Sequence, residues 1–335
     1  RELITVTDAD KAVQANLQKI EKAARLALDN LRNPLGPTTC TCDQRRHNHC
    51  PLFSYFHPEV PEYTVFNVSG LGAKVLKDLV SRKQFEVTDI PDGVQLKGRG
   101  QHQVVVAKEG KPIIKDDAIK RILDSFEFPL YFLDYETTTG AFPLFDGCRP
   151  YLNMPFQYSL HVLDEPDAEP QHREFLAAAD AKEPVQELVE SLRQAIGLQG
   201  TVLAWNKRFE MGCNETMAGL YPPGKAFLED VNRRTFDLAE VFFDHHYLHP
   251  EFQGRWTIKK ILPVLVPELS YDGLAVREGS TASALWEDAV QGKIAGAELD
   301  QLYADLRKYC TLDTLAMVRI YQHLVEICRK PPPAA

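Results

Sequence analysis

Apolar positions recur along this chain at two different periods. From residue 9 to 32, Val13, Leu17, Ile20, Ala24, Ala27 and Leu31 return every three or four residues, which predicts an amphipathic helix. Pro34 and Gly36 end it. Residues 51–66 carry prolines and aromatics without a period, and residues 67–90 read as loop, helix, loop. The polar stretch Asp92–Lys111, with Lys97-Gly98-Arg99-Gly100 inside it, reads as a turn. Beyond residue 125 the rhythm changes. Leu130–Glu136, Phe156–Leu163, Arg173–Leu176 and Thr201–Trp205 have the composition of strands. Val185, Leu188, Val189, Leu192 and Ile196 form a helical stripe, and a last long helix spans about Leu299–Cys328, stopped by the prolines at 331–333. Strands that give way to alternating helix and strand predict a layered α/β domain.

Composition narrows the class. The 335 residues are 44% apolar and 25% charged, ordinary globular usage. No apolar run approaches the ~20 residues of a membrane span, so no membrane partner is expected. The 38 basic and 47 acidic residues leave a net charge of −9, which excludes coating nucleic acid by bulk charge. A nuclease stays open, since its active site needs carboxylates and its grip on phosphate can be local. Seven unevenly spread cysteines argue for a reducing, cytoplasmic setting rather than a disulfide framework. The start at Arg1, with no apolar leader, reads as a piece of a longer protein.

The chemistry gathers in acidic residues. Asp134 and Glu136 are two apart on a strand and therefore share a face, following the apolar Tyr131-Phe132-Leu133. Adjacent carboxylates at the end of a buried strand call for a neutralising cation, and Mg²⁺ suits one or two carboxylates plus phosphate. Tyr309 and Asp313 share one face of the terminal helix, beside an apolar stripe. Glu210 follows Asn206 at a helix start after the strand Thr201–Trp205. A helix-start acid is also favoured by the dipole alone, and the same holds for Asp237, a candidate auxiliary acid.

The order of these motifs resembles the DnaQ-like 3′–5′ exonucleases of the DEDD superfamily, and Tyr309-x-x-x-Asp313 resembles its tyrosine subclass. Residues ~50–328 are similar to an uncharacterised bacterial family that joins an iron–sulfur, RecB-type nuclease domain to an exonuclease-like domain. The likeness rests on Phe132–Thr137, Pro155–His161, Asn206-x-x-Phe209-Glu210, Arg234–Leu238, Ile258–Pro263, Ser270-Tyr271 and Tyr309–Met317. It implies an RNase H-like mixed sheet flanked by helices, preceded by a small, mostly helical, Cys-containing region. It also implies two Mg²⁺ or Mn²⁺ ions on Asp134, Glu136, Glu210 and Asp313, with Tyr309 orienting the attacking water. The partner is then single-stranded DNA or RNA, with an upstream nuclease domain on the same polypeptide. In the family the second motif usually ends in Asp, and Glu210 is one methylene longer. This departure motivates the alternative of a catalytically degenerate module that binds nucleic acid or a partner.

The expected organisation is a C-terminal remnant of the upstream domain at 1–60, a linking segment at 61–125 and the exonuclease domain at 126–330. Cys40, Cys42 and Cys50, with His47 and His49, could hold Zn²⁺ or, with a fourth ligand, an iron–sulfur cluster. Gly70-Leu71-Gly72 with Lys74 resembles half of a helix-hairpin-helix phosphate site. Asn206 and Phe209, together with Trp256, Lys259 and Lys260, are candidates for substrate binding, with Trp256 stacking a base and the lysines meeting phosphates.

Overall fold

The computed structural model describes residues 8–32, 58 and 60–329. The chain divides into two units, one ending at Val94 and the other beginning at Gln95. The expected boundary near residue 125 thus falls inside the second unit. The Cys40, Cys42 and Cys50 group lies outside the described residues.

In the first unit, helix α1 spans Asp10–Arg32 and leaves Val13, Leu17 and Ile20 exposed. Helix α2 spans Ala73–Ser81 and buries Leu76 and Leu79. Gly72 caps its start and Lys74 lies in its first turn.

The second unit opens with α3 (Arg99–Glu109), where the polar composition predicts a turn. Two glycines with positive φ, Gly98 and Gly110, bracket a full helix, and Gln103 and Val106 on it are buried. Burial of one face outweighs a sequence that lacks a clear apolar stripe. Helix α4 (Asp116–Leu123) buries Ile119.

Five strands follow: β1 Leu130–Thr138, β2 Met154–Leu163, β3 Gln171–Leu176, β4 Thr201–Ala204 and β5 Thr235–Asp237. Their order in the sheet is β3-β2-β1-β4-β5. Strand β2 runs antiparallel to β1 and β3, whereas β4 runs parallel to β1 and β5 parallel to β4. The molecule is therefore α/β, with a mixed five-stranded sheet flanked by helices. Gly200, with φ of 95°, makes the turn into β4; a Cβ there would lie 2.1 Å from the Pro129 carbonyl oxygen.

Alternation along β1 sends its side chains to two cores. Tyr131, Leu133 and Tyr135 pack with α5 (Pro184–Ala195) and α6 (Lys207–Leu220), through Leu188, Val189, Leu192, Cys213 and Met217. Leu130 and Phe132 pack on the opposite side with Ile261, Leu262, Met317, Ile320 and Tyr321. Helices α7 (Lys225–Arg233), α8 (Glu240–Phe243), α9 (Ile258–Leu265), α10 (Gly279–Val290) and α11 (Ala297–Arg329) complete the unit. The 33-residue α11 joins both cores: Leu302, Leu306 and Tyr309 belong to the first, Met317 and Ile320 to the second. Asp313 lies at the changeover. Among the described residues no helix is long and apolar enough to cross a membrane.

Candidate active site

The changeover on α11 faces a cleft of about 600 Å³. Asp134 and Glu136 of β1 line its floor, with Tyr309 and Asp313 of α11 beside them. Gly279, Ser280, Ser283 and Glu287 of α10 form one wall; Trp205, Phe209, Ile258 and Lys259 also line it.

Each acid has a structural reason for its place. Asp134 and Glu136 share the face of β1 that carries Leu130 and Phe132, as their spacing requires. A register shift between Glu136 and Thr137 breaks the regular pairing with β2, which resumes at Thr137 with Pro155. Gly279 leaves room for the Glu136 carboxylate: a Cβ at 279 would lie 3.2 Å from Oε2. Glu210 is fixed through α6. The Asp237 carboxylate, at the end of β5, accepts the amides of Asn206 (2.9 Å), Lys207 (3.0 Å) and Ala239 (3.1 Å). Deeper down, the Tyr135 hydroxyl donates to Asn214 on α6 at 2.8 Å. Asp237 is thus an anchor for the start of α6, not a lining residue of the cleft, and it sits at a strand end rather than a helix start.

The four carboxylates act on one another. Burial first, then the charges of Asp313, Glu136 and Glu210, push the Asp134 carboxyl well above its ordinary range. Burial and Asp313 raise Glu136 to about 8, although Lys259 opposes this. Burial, with smaller contributions from Asp237 and Glu136, raises Glu210 to about 8 against its backbone hydrogen bond. Asp313 rises only to about 6, because burial is countered by hydrogen bonds from Tyr271 and Tyr309 and by Lys259. Glu210 Oε2 is buried and has no hydrogen-bond partner. Asp134, Glu136 and the Cys310 thiol each offer a ligand atom within 4.8 Å of the others. The thiol donates a long hydrogen bond to Asp134 Oδ2, 3.8 Å. Burial, then nearby carboxylates, hold the Tyr309 phenol far above its usual range, so it stays a donor.

Of the residues singled out by sequence, Asp134, Glu136, Tyr309 and Asp313 line the cleft with Phe209 and Lys259. Glu210, next to Phe209 on α6, is buried outside the lining and couples electrostatically to Asp134 and Glu136. Lys259 Nζ lies 5.5 and 5.6 Å from the ring centres of Tyr271 and Tyr309 and donates to the Arg277 carbonyl. The substrate-binding candidates Asn206, Lys260 and Trp256 fall outside the lining as well. Asn206 is exposed, in the left-handed region at φ 71°. Lys260 donates to Gln253 at 3.0 Å. Trp256 lies on the outer surface, under the guanidinium of Arg99.

Sequence reasoning missed Tyr271, whose hydroxyl donates to Asp313 Oδ1 at 2.5 Å. It also missed Glu287, which accepts from the Thr138 hydroxyl at the cleft wall. Tyr271 stood inside a recognised motif, but only the fold shows which carboxylate it meets. Nothing in the pattern around Glu287 distinguishes it from a solvated helix acid.

A family model described as a domain of unknown function (DUF2779) matches residues 131–257. The match takes in Asp134, Glu136 and Glu210 and ends before Lys259, Tyr271, Tyr309 and Asp313. The chain is 24% identical over 226 residues to the uncharacterized protein MG366 homolog of Mycoplasma pneumoniae, covering 63% of this chain and 34% of that one. It is 23% identical over 208 residues to the uncharacterized protein UU173 of Ureaplasma parvum, covering 56% and 30%. The chain thus spans about a third of the length of the curated relatives it matches. No solved structure matches.

Proposed function

We propose that this protein is a divalent-metal-dependent 3′–5′ exonuclease of RNase H-like fold that hydrolyses single-stranded nucleic acid. One observation carries the reading. Four buried carboxylates come from β1, α6 and α11; the other three oppose ionisation of Asp134, Asp313 opposes that of Glu136, Glu136 opposes that of Glu210, and one buried oxygen of Glu210 lacks a partner. Such an assembly is unfavourable unless cations neutralise it. Hard oxygen donors of this kind fit Mg²⁺ or Mn²⁺. The strand order, with one reversed strand next to the central one, is the order an RNase H-like sheet requires and supports the fold part of the reading.

Asp134, Glu136, Glu210 and Asp313 would hold two ions. When bound, such ions polarise a phosphodiester, lower the pKa of a water and stabilise the leaving oxygen. The remaining roles belong to the chain. Phe209, Trp205, Ile258 and Met317 supply an apolar wall for the terminal base and sugar. Lys259 brings positive charge toward a phosphate. The Tyr309 phenol, kept protonated, orients the attacking water by donating or accepting a hydrogen bond. Water then adds to phosphorus as the bond to the preceding 3′ oxygen breaks, releasing a nucleoside monophosphate and a strand shorter by one residue.

The test uses the full chain with Mn²⁺ or Mg²⁺ and a 3′-labelled single-stranded oligonucleotide. Release of label by the wild type, lost in Asp134→Ala and Asp313→Ala, is expected. Equal release by all three overturns the reading. Binding without release points instead to a degenerate binding module.

A further inference from the structure

Outside the cleft, on the same unit, a second cluster remains unused. The Arg99 guanidinium lies 3.5 Å from the centre of the Trp256 ring, and Phe243 meets the same indole edge-on at 5.7 Å. Both aromatics stay accessible, Phe243 at 47% and Trp256 at 36% of their surface. Two aromatics exposed side by side, with a guanidinium over one of them, offer a flat apolar face beside a positive charge.

The cluster adjoins the cleft. The Trp205 indole N–H donates to the Trp256 carbonyl at 3.0 Å. Trp205, bonded to this segment, and Ile258, two residues after Trp256, both line the cleft.

Positive charge gathers on its other side. His102 and His245 approach Nδ1 to Nδ1 at 3.0 Å. His245 is lowered to about 4, first by burial, then by Arg99, His102, Lys115 and His246. His246 is lowered in the same way, by burial, Lys115 and Arg121, with Asp244 opposing. In a chain of net charge −9, Lys115 acts on His102, His245 and His246, Arg99 on His245 and Arg121 on His246, and the Lys115 amide donates to the His246 carbonyl at 2.8 Å. Their field attracts anions locally, whatever the sign of the whole.

We propose that this face is a track for the single strand that trails from the cleft. A base stacks on Trp256 and Phe243, held in place by Arg99, and the phosphates on either side of it run toward Lys115. Stacking on aromatic rings beside a cationic groove is the sequence-tolerant way to hold a single strand. The proposal rests on the strand-end reading of the cleft, since the track is useful only as its continuation.

The test is equilibrium binding by the full chain, with Ca²⁺ offsetting the carboxylates and turnover suppressed. The probes are a dinucleotide and a labelled oligothymidylate long enough to leave the cleft, the latter also in its RNA form. The wild type should bind the long strand more tightly than the dinucleotide. Trp256→Ala should weaken the long strand by about tenfold or more, the cost of one stacked base. Its dinucleotide affinity should not change, and Trp256→Phe should keep most of the long-strand affinity. Arg99→Gln should reduce the salt slope by about one. Wild-type-like long-strand binding in both Trp256→Ala and Arg99→Gln overturns the track and leaves the cleft reading standing. Equal affinity of the wild type for the two lengths also overturns it. Binding of neither probe overturns track and cleft together.

Discussion

Helix α11 buries polar side chains in two adjacent places, and treats them in opposite ways. Against β2 and β3, the Thr314 hydroxyl meets Ser159 Oγ at 2.7 Å and His161 Nδ1 at 2.8 Å, and Ser159 meets His172 Nε2 at 2.9 Å. His161, lowered to about 4 by burial and then by His172 and Arg319, stays neutral near pH 7. One residue earlier, Asp313 acts on Asp134 and Glu136, and burial with neighbouring carboxylates pushes Asp134, Glu136 and Glu210 toward protonation. The first group is satisfied and fixes how α11 lies on the sheet. The second is left electrostatically unsatisfied by the chain itself. Burial alone therefore does not distinguish a structural polar cluster from a site; the presence or absence of internal partners does.

The largest expected effect comes from breaking the unsatisfied group. Asp134→Asn should lower Mn²⁺-dependent hydrolysis about a thousandfold or more, since several kcal/mol of charge stabilisation are lost. The same variant, free of metal, should melt at a higher temperature than the wild type, because an amide does not carry the cost of keeping a buried carboxyl protonated. A lower melting temperature would place Asp134 in the satisfied class.

Acidity sharpens the contrast next. Glu136 and Glu210 hold their protons up to about 8 in the folded chain, against an ordinary glutamate value of 4.5. Between those limits the unfolded chain has released protons that the folded chain retains. Their contribution to metal-free stability is therefore fully present below about pH 4.5 and is lost as pH rises through about 8, on the order of several kcal/mol. Metal displaces those protons, so the gap between melting curves in Mn²⁺ and in EDTA should widen as pH rises. A gap independent of pH would contradict the assignment.

A smaller change is expected at Tyr271→Phe, which removes the donor to Asp313. Mn²⁺ affinity by calorimetry should fall about ten- to a hundredfold, as for other partners of metal ligands, with little change in melting temperature. The smallest effect belongs to the satisfied group. Thr314→Val should cost about 1–2 kcal/mol in denaturant unfolding and leave Mn²⁺ affinity as it was. A loss of metal affinity there would merge the two regions into one.

Much of this is legible in the chain. The run Tyr131–Leu133 before two acids predicts a buried strand ending in carboxylates, and β1 is that strand. The Tyr309–Asp313 spacing places both on one face of a helix that runs, as expected, to the end of the domain. Other features leave no trace at short range. Helix α3 was read as a turn because its stripe is weak and glycines border it. Strand β5 is only three residues long, too short for a period, so Asp237 looked like a helix cap. Tyr271 and Asp313 are 42 residues apart, and no local pattern pairs them.

What the sequence determined by itself is periodicity and chemistry: which residues share a face, and where the acids from Asp134 to Asp313 lie along the chain. What the tertiary structure alone decided is partnership. It gave Asp237 three amides, gave Asp313 two phenols, turned Trp256 outward under Arg99, and left Glu210 Oε2 without a donor. The reason is physical. Side-chain direction within one element follows from bond geometry over a few residues, whereas hydrogen bonding, burial and mutual repulsion depend on groups that only packing brings together.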